Sequence, residues 1–357
     1  DQFNRFKLGR TLDELQQYGT SLLFSEIALK ACDQEQIDLR FNHLDSTSLT
    51  VSGQYEEDET EPATITLRRG YSKDHRPDLK QAVLEMMVSQ DGGVPLMCQA
   101  WDGNSNDSRI FKERSQALFE QFQTGDSPRY LIADSKLYSR DNSANLARLG
   151  YITRIPNTLT VSRQLINQAW AYNQWQIAPD GRHYQSWSLG HYDIDQRWLV
   201  VYSDQSRQRA EKTVDRAIKR ERTRLDKALF HLQAQRFAGR DEAQQAYAQL
   251  GTELRYHNLQ PAELIPHHRY LRAGRPGAAE TPQTIKWQVQ GQAVLDPERR
   301  TERINHQACY IIGSNISPEQ LSDLELLAHY RQQHQVEQGF RFLKDPTFFT
   351  SALFVKK

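Results

Sequence analysis

Three acidic residues lie where a carboxylate could do chemistry. Asp45 falls within a predicted strand, and Asp134 directly follows the short apolar run 131–133. Glu337 lies close to Phe340 on a predicted helix. Two hard cations roughly 3.5–4 Å apart can activate a nucleophile and stabilise a leaving oxyanion in phosphodiester cleavage, and Mg²⁺ prefers oxygen ligands. Taken singly, each residue stays ambiguous, because a lone strand-end Asp is more often a turn or cap residue and a lone helical Glu is usually solvated.

The elements that would position the two aspartates are predicted over the first 156 residues. Apolar periodicity predicts helical structure over 9–35 with a break at Gly19, and Asp91-Gly92-Gly93 between apolar runs predicts a hairpin over 81–101. The other predicted elements are strands over 37–55 and 63–67, a helix over 108–122, a strand over 130–133, a helix over 142–149 closed by Gly150, and a strand over 151–155. Three antiparallel strands, a helix, a strand, a helix and a strand follow the order of a ribonuclease H-like fold.

The pattern over the rest of the chain predicts a large insertion, followed by further elements of the core. A strand over 198–202, two long polar helices across 205–250, strands over 285–294 and 308–312, and one long helix over 318–343 are predicted. We therefore predict an α/β protein whose ribonuclease H-like core, a mixed sheet flanked by helices, is interrupted by an α+β insertion. The predicted regions are an N-terminal helical segment at 1–36, the first part of the core at 37–156, the insertion at 157–305, and the last part of the core at 306–357.

The charge balance bears on partners. Lys+Arg and Asp+Glu both total 45, so the formal net charge is zero. Any nucleic-acid surface must therefore come from local segregation of charge. The run from Arg207 to Lys227 is the best candidate, since a basic helix can follow a DNA backbone. The same run could equally be a solvated face with ion pairs between residues four apart.

The cysteines and the hydropathy exclude several other classes. Cys32, Cys98 and Cys309 are far apart and lack the spacing of a zinc knuckle or a disulfide framework. Nothing resembles a signal peptide or a membrane-spanning run. We therefore expect a cytoplasmic protein with no membrane partner.

A set of motifs in a fixed order resembles one family. Tyr330, Glu337 and Lys344 match the spacing Y-x2-R-x3-E-x6-K, although Gln333 stands at the Arg position. With them, the stretches 43–48, 70–81, 102–107 and 133–138 resemble the DDE transposases of insertion sequences, in the branch with a large insertion before the final Glu. Members of this branch usually continue beyond both ends of this chain, so we expect a DNA-end-binding region outside it.

The resemblance implies a specific site. Asp45, Asp134 and Glu337 would hold two Mg²⁺ ions, for which Mn²⁺ can substitute, and would catalyse hydrolysis at a transposon end followed by strand transfer into target DNA. Tyr330 and Lys344 would contact phosphates near the cleaved end. The other DNA-binding candidates are Lys73, Arg76, Lys80 and Arg341. The segment 70–81 that carries the first three of these could also be a polar connection between strands.

The resemblance also implies partners. Transposon-end DNA and target DNA would be bound by a homodimer, in a prokaryotic cytoplasm. The alternative function is a transposase-derived DNA-binding protein without catalysis. A nuclease that cuts without strand transfer is a third function, which the spacing of Tyr330, Glu337 and Lys344 disfavours.

Overall fold

The computed structural model describes residues 4–53, 65–71, 76–105, 130–136, 138–143, 147–270, 281–333 and 340. The chain forms two compact units. The first consists of Asp1–Ser162, Tyr184–Val201 and Ile311–Lys357, and the second of Arg163–His183 and Tyr202–Tyr310. None of the helices in these described ranges combines the length and the apolar composition that crossing a bilayer requires.

The chain begins with two helices separated by a glycine. Helix α1 spans Arg5–Tyr18 and helix α2 spans Thr20–Gln34. Gly19 lies between them at φ +99°, a conformation that favours glycine because it lacks a Cβ. The predicted break at this residue is confirmed.

An antiparallel meander follows. It consists of β1 (Phe41–Val51), β2 (Lys80–Ser89) and β3 (Pro95–Trp101), with α2 packed against β3. Gly92 and Gly93 both have positive φ in the turn between β2 and β3. The predicted hairpin is thus confirmed, and its turn is made by the residues that tolerate this backbone best.

Two short strands complete the part of the sheet that carries the aspartates. Strand β4 (Tyr130–Ala133) runs parallel to β1, and β5 (Gly150–Ile155) runs parallel to β4. A helical turn at Arg140–Asn142 lies between them in sequence. The strand order β3-β2-β1-β4-β5 and these directions confirm the predicted α/β class with a ribonuclease H-like core.

The chain then passes between the two units. Next come α3 (Thr160–Tyr172), β6 (Gln176–Ile177), β7 (His183–His191) and β8 (Ile194–Tyr202). The second unit continues with α4 (Asp204–Ala234), α5 (Arg240–Thr252), β9 (His257–Leu259), β10 (Glu263–Arg269), β11 (Thr284–Gln290), β12 (Ala293–Leu295) and α6 (Pro297–Ala308). Its core cluster joins Leu225 and Leu229 of α4 to Tyr247 of α5 and Val289 of β11.

The last described elements return to the first unit. Strand β13 (Tyr310–Ser314) pairs antiparallel with β5, and α7 spans Asp323–Arg331. The strands of this unit are neighbours in the order β3-β2-β1-β4-β5-β13-β8-β7. Ile132, Ile152, Trp198 and Ile311, one from each of four adjacent strands, are fully buried, so the sheet itself forms the centre of the core.

Two predicted strands differ from the structure. The described residues of the predicted strand 63–67 make no strand, and the neighbouring Arg68 forms a bridge to Gln81. The predicted strand 285–294 is divided between β11 and β12 at Gly291. A Cβ at Gly291 would lie 2.2 Å from the Tyr247 ring, so only glycine fits at this position between the two strands.

Two predicted helices also differ. Gly150 does not close a helix but begins β5. The predicted helix 318–343 begins only at Asp323 and α7 ends at Arg331. Ser322 and Glu325 form a reciprocal capping box that fixes this start. The pattern Ser-x-x-Glu is legible in the sequence and was the missed signal. The predicted helix 108–122 lies outside the described residues.

Candidate active site

The two aspartates follow a pair of residues that lie opposite each other on neighbouring parallel strands. In the parallel pair of β1 and β4, Leu44 lies opposite Ala133. Leu44–Ala133 is the last pair of this ladder, and Asp45 and Asp134 are the residues that directly follow its two members. Laterally paired residues project from the same face of a sheet. The sheet therefore places two carboxylates, remote in sequence, side by side at the carboxyl end of β4.

Each carboxylate is oriented by its own neighbourhood. Oδ1 of Asp45 accepts a hydrogen bond of 2.7 Å from the Ser46 main-chain N–H. Oδ1 of Asp134 accepts one of 2.9 Å from the Lys136 N–H. The Asp134 carbonyl in turn accepts a 2.8 Å bond from the Thr153 hydroxyl on β5. These bonds set the rotamers of both carboxylates and tie Asp134 to the next strand.

Phe340, which lies within the third motif, packs over the same face. Asp45 lies opposite Met86 in the antiparallel pair of β1 and β2, so the two side chains share a face. Phe340 is helical and buried, and it packs with Met86 and Val88. Phe340 therefore lies on the Asp45 side of the sheet. Glu337, the predicted third carboxylate, lies outside the described residues, as do Arg341, Lys344 and Lys73.

A chain of polar side chains, from the buried His43 through the half-buried Gln90 and His329, links β1 to α7, and the sequence analysis missed it. Nε2 of His43 lies 3.3 Å from the Gln90 side-chain oxygen, and the Gln90 amide nitrogen lies 2.8 Å from Nδ1 of His329. The His329 ring stacks on Phe41 with centroids 3.5 Å apart. Burial lowers the pKa of His329 below its ordinary value, which Arg40 lowers further and which Glu325 and Asp38 raise. The signal available in the sequence was the spacing of His43 and Asp45, because residues two apart on a strand lie on the same face.

The predicted DNA-binding residues that are described lie in three places. Tyr330 is half-buried on α7, directly after His329. Arg76 is exposed and pairs with Asp78 at 2.7 Å. Lys80 lies opposite Val51, six residues along β1 from Asp45. That separation is about 20 Å at the rise of an antiparallel strand. The structure thus does not bring Lys80 to the aspartates.

The chemistry of the aspartates fits a hard divalent cation. Both supply carboxylate oxygens, which Mg²⁺ accepts while keeping several waters. Within the described part of the chain, no cluster of three or more His, Cys, Asp or Glu side chains could hold a metal ion. A complete three-carboxylate site therefore requires a ligand from outside those residues.

Comparison with solved structures finds transposase complexes. The chain is similar to a piggyBac transposase synaptic complex with hairpin DNA, at 12% identity and a TM-score of 0.29, over 46% of this chain and 30% of that one. It is also similar to a Mos1 transposase paired-end complex with the left transposon end, at 16% identity and a TM-score of 0.22, over 40% and 42% of the two chains. The matched part thus spans less than half of either known chain.

The family assignment comes from the sequence. No curated protein matches the chain. The family model described as the transposase DDE domain matches residues 39–353, which includes both aspartates and the predicted glutamate. This match extends over nearly all of the 357 residues. The chain belongs to the DDE transposase domain family.

Proposed function

We propose that this protein is an active DNA transposase that cleaves transposon ends and transfers the cut strand into target DNA. The observation that carries the proposal is the placement of Asp45 and Asp134, each one residue beyond the Leu44–Ala133 pair on neighbouring parallel strands. In a protein without catalysis, nothing would require two carboxylates to repel each other at adjacent strand positions. No observation favours the alternative of a catalytically inactive DNA-binding descendant.

The aspartates act as cation ligands that are oriented before any ligand binds. The N–H groups of Ser46 and Lys136 hold one oxygen of each carboxylate, so little side-chain freedom is left to lose. Two bound Mg²⁺ or Mn²⁺ ions would supply an activated oxygen nucleophile and neutralise charge on the leaving oxygen. The rigidity of the sheet then keeps the two carboxylates at one spacing through both cleavage and strand transfer.

Glu337 is the proposed third ligand. Residues three apart on a helix share a face. Phe340, three residues later, is helical and packs on the sheet face that carries Asp45. Its packing supports a return of the third motif to the aspartates. Tyr330, Arg341 and Lys344 are proposed contacts to the phosphates of the transposon end.

The proposal includes DNA as both substrate and target. A homodimer on paired ends, in a prokaryotic cytoplasm, is the proposed working form. Tyr330 directly follows the half-buried His329, whose Nδ1 lies 2.8 Å from the Gln90 amide nitrogen. This held neighbour supports a fixed DNA contact by Tyr330.

The test is metal-dependent cleavage of labelled DNA that carries the element's own ends. We expect the parent chain to nick and join this DNA with Mg²⁺. Asp45→Asn, Asp134→Asn and Glu337→Gln should each lose about a thousandfold or more in rate, since several kcal/mol of transition-state stabilisation are removed. Asp193→Asn is the matched control, because Asp193 is exposed at φ +59° in the β7–β8 turn and asparagine tolerates that backbone.

Each other outcome has a definite meaning. DNA binding without nicking by the parent chain would establish the inactive descendant. Cleavage without joined products would establish a plain nuclease. Full activity in any of the three carboxylate variants would remove that residue from the site and overturn the proposed triad.

A further inference from the structure

Helix α4 carries a line of exposed basic side chains on one face. At about 100° per residue, these residues fall within an arc of about 140° around the 31-residue helix. We name this surface the basic stripe, and it consists of Arg209, Lys212, Arg216, Lys219, Arg220, Arg224 and Lys227, all of them exposed.

The acidic residues of the same helix lie outside that arc. Each of them lies within 4 Å of a basic side chain. The pairs are Asp204 with His183 at 3.6 Å, Glu211 with Arg207 at 3.5 Å, Asp215 with Arg300 at 2.9 Å, Glu221 with His257 at 2.9 Å, and Asp226 with Arg222 at 2.9 Å. The acidic side chains of α4 therefore lie outside the stripe and have basic partners there.

The arginines that lie off the stripe are neutralised. Arg207 pairs with Glu211 and lies over the Trp170 ring at 4.6 Å. Arg222 pairs with Asp226 and donates a 2.8 Å bond to the Ala293 carbonyl. Across the ranges that the structure describes, no side chain of the basic stripe makes an ion pair. Like charges three or four residues apart destabilise a helix, so a bound polyanion would relieve this repulsion.

Packing on the opposite side fixes the direction of the stripe. Val214, Leu225, Leu229 and Leu232 are buried on the face centred roughly 160° away from it. The hydroxyls of Thr213 and Thr223, which fall on the stripe, donate to the carbonyls of Arg209 and Lys219 at 2.8 and 3.0 Å. The stripe therefore presents cations, while its hydroxyl hydrogens are directed to the helix backbone.

The stripe matches a long, regular polyanion. From Arg209 to Lys227 it extends about 27 Å, since a helix rises about 1.5 Å per residue. Duplex DNA presents one phosphate charge for about every 1.7 Å of its axis. Near one end, Arg220 and Arg224 line a cavity of about 700 Å³ together with Arg255. Glu253 also lines this cavity and makes no ion pair with these arginines within the described residues.

We infer that the basic stripe binds the sugar–phosphate backbone of duplex DNA without recognising its sequence. The inference deepens the proposed function, because DNA is the substrate of that reaction. Contacts to phosphates position a protein on DNA but carry no sequence information. The stripe thus supplies, within a chain of zero net charge, the segregated positive surface that DNA binding requires.

The test compares two pairs of arginines on the same helix. Binding of the full chain to a short duplex of unrelated sequence is measured by fluorescence anisotropy in EDTA, over a range of salt concentrations. Arg216→Gln/Arg220→Gln removes two stripe cations, and Arg207→Gln/Arg222→Gln removes two paired ones. The first variant should lower the slope of log K against log salt by about 1.8, or about 0.9 per phosphate contact, and weaken binding at least about tenfold.

The controls cover folding and sequence dependence. Melting curves accompany each variant, and Arg299→Gln/Arg300→Gln, which removes two paired arginines of α6, replaces the control if Arg207→Gln/Arg222→Gln unfolds early. Lys219→Gln/Lys227→Gln serves as a second stripe variant. The loss should be equal for the unrelated duplex and for the element's own ends.

Three results would overturn the inference. They are an unchanged salt slope in both stripe variants, an equal loss in the paired-arginine control, and a loss confined to the transposon-end duplex. Because EDTA prevents metal-dependent cleavage, stripe binding can fail while catalysis stands. Catalysis can also fail, as in Asp134→Asn, while stripe binding stands.

Discussion

The carboxylate of Glu221 and the carboxylates of Asp45 and Asp134 differ in where their hydrogen-bond donors lie in the sequence. Glu221 on α4 is buried, and its two oxygens accept the main-chain N–H groups of Arg255, Tyr256 and His257 as well as Nδ1 of His257. These donors lie 34 to 36 residues away in sequence. Asp45 and Asp134 instead accept N–H groups from one and two residues along the chain.

The difference separates a structural carboxylate from a candidate catalytic one. The bonds to Glu221 join α4 to the segment before β9, so they exist only when the second unit is folded and they contribute to its stability. The bonds to Asp45 and Asp134 orient side chains whose strands are already held by the sheet ladder. Because the bonds to Glu221 join segments that are remote in sequence, replacing Glu221 should loosen the fold more than replacing Asp45 or Asp134.

Glu221→Gln should have the largest effect on stability. Removing one partner of a buried pair of ionisable groups typically costs about 3–5 kcal/mol, because the groups that faced it stay buried without their charged acceptor. The measurement is the free energy of unfolding in urea at neutral pH. Glu211→Gln is the control, since the Glu211–Arg207 pair is partly exposed and is worth at most about 1 kcal/mol. Equal losses of unfolding free energy in the two variants would contradict a structural role for Glu221 beyond that of a surface carboxylate.

Gly150→Ala should destabilise the β4–β5 pair by about 1–3 kcal/mol, the usual cost of overpacking. Gly150 lies opposite Tyr130 in the β4–β5 pair, and a Cβ there would lie 2.3 Å from the Tyr130 ring. Urea unfolding measures the loss. Gly190→Ala provides a control on another strand, β7, where an added Cβ would meet nothing closer than 3.9 Å. An unchanged free energy of unfolding in Gly150→Ala would show that β4 and β5 can move apart here to make room for the methyl group.

The effect of Glu221 should also depend on pH. Burial raises the pKa of Glu221, but the hydrogen bonds from His257, Arg255 and Tyr256 outweigh it, so the pKa lies below its ordinary value of 4.5. A carboxyl with a depressed folded-state pKa stabilises the fold above its unfolded pKa, and this stabilisation is lost as pH falls through the folded value. The stability difference between the parent and Glu221→Gln should therefore be constant at neutral pH and shrink below about pH 4.5. A difference that does not change in acid would contradict the assignment of the charge to Glu221.

Asp134→Asn should have the smallest effect on stability, within about 0.5 kcal/mol of the parent. The amide oxygen of asparagine can still accept the Lys136 N–H, and the strand pairing does not involve the side chain. Urea unfolding measures this alongside the cleavage assay. A loss comparable to that of Glu221→Gln would mean that Asp134 is a structural residue, and the comparison of the two settings would fail.

The sequence by itself determined the local elements. Gly19 ends a helix and Asp91-Gly92-Gly93 turns a hairpin, because backbone conformations at glycine are decided by the residue itself. Short segments rich in apolar and β-branched residues likewise predicted β1, β4 and β5. The family resemblance drew attention to Asp45, Asp134 and Glu337, and the structure describes the first two.

Only the tertiary structure decided which of these elements meet. The parallel pairing of β1 with β4 puts Asp45 beside Asp134, and no local pattern encodes that register. Glu221 lies in a run of charged residues and is nevertheless buried, while the basic residues around it form an exposed stripe. The physical reason is that periodicity specifies a face, whereas burial and ion pairing depend on which distant segment packs against that face.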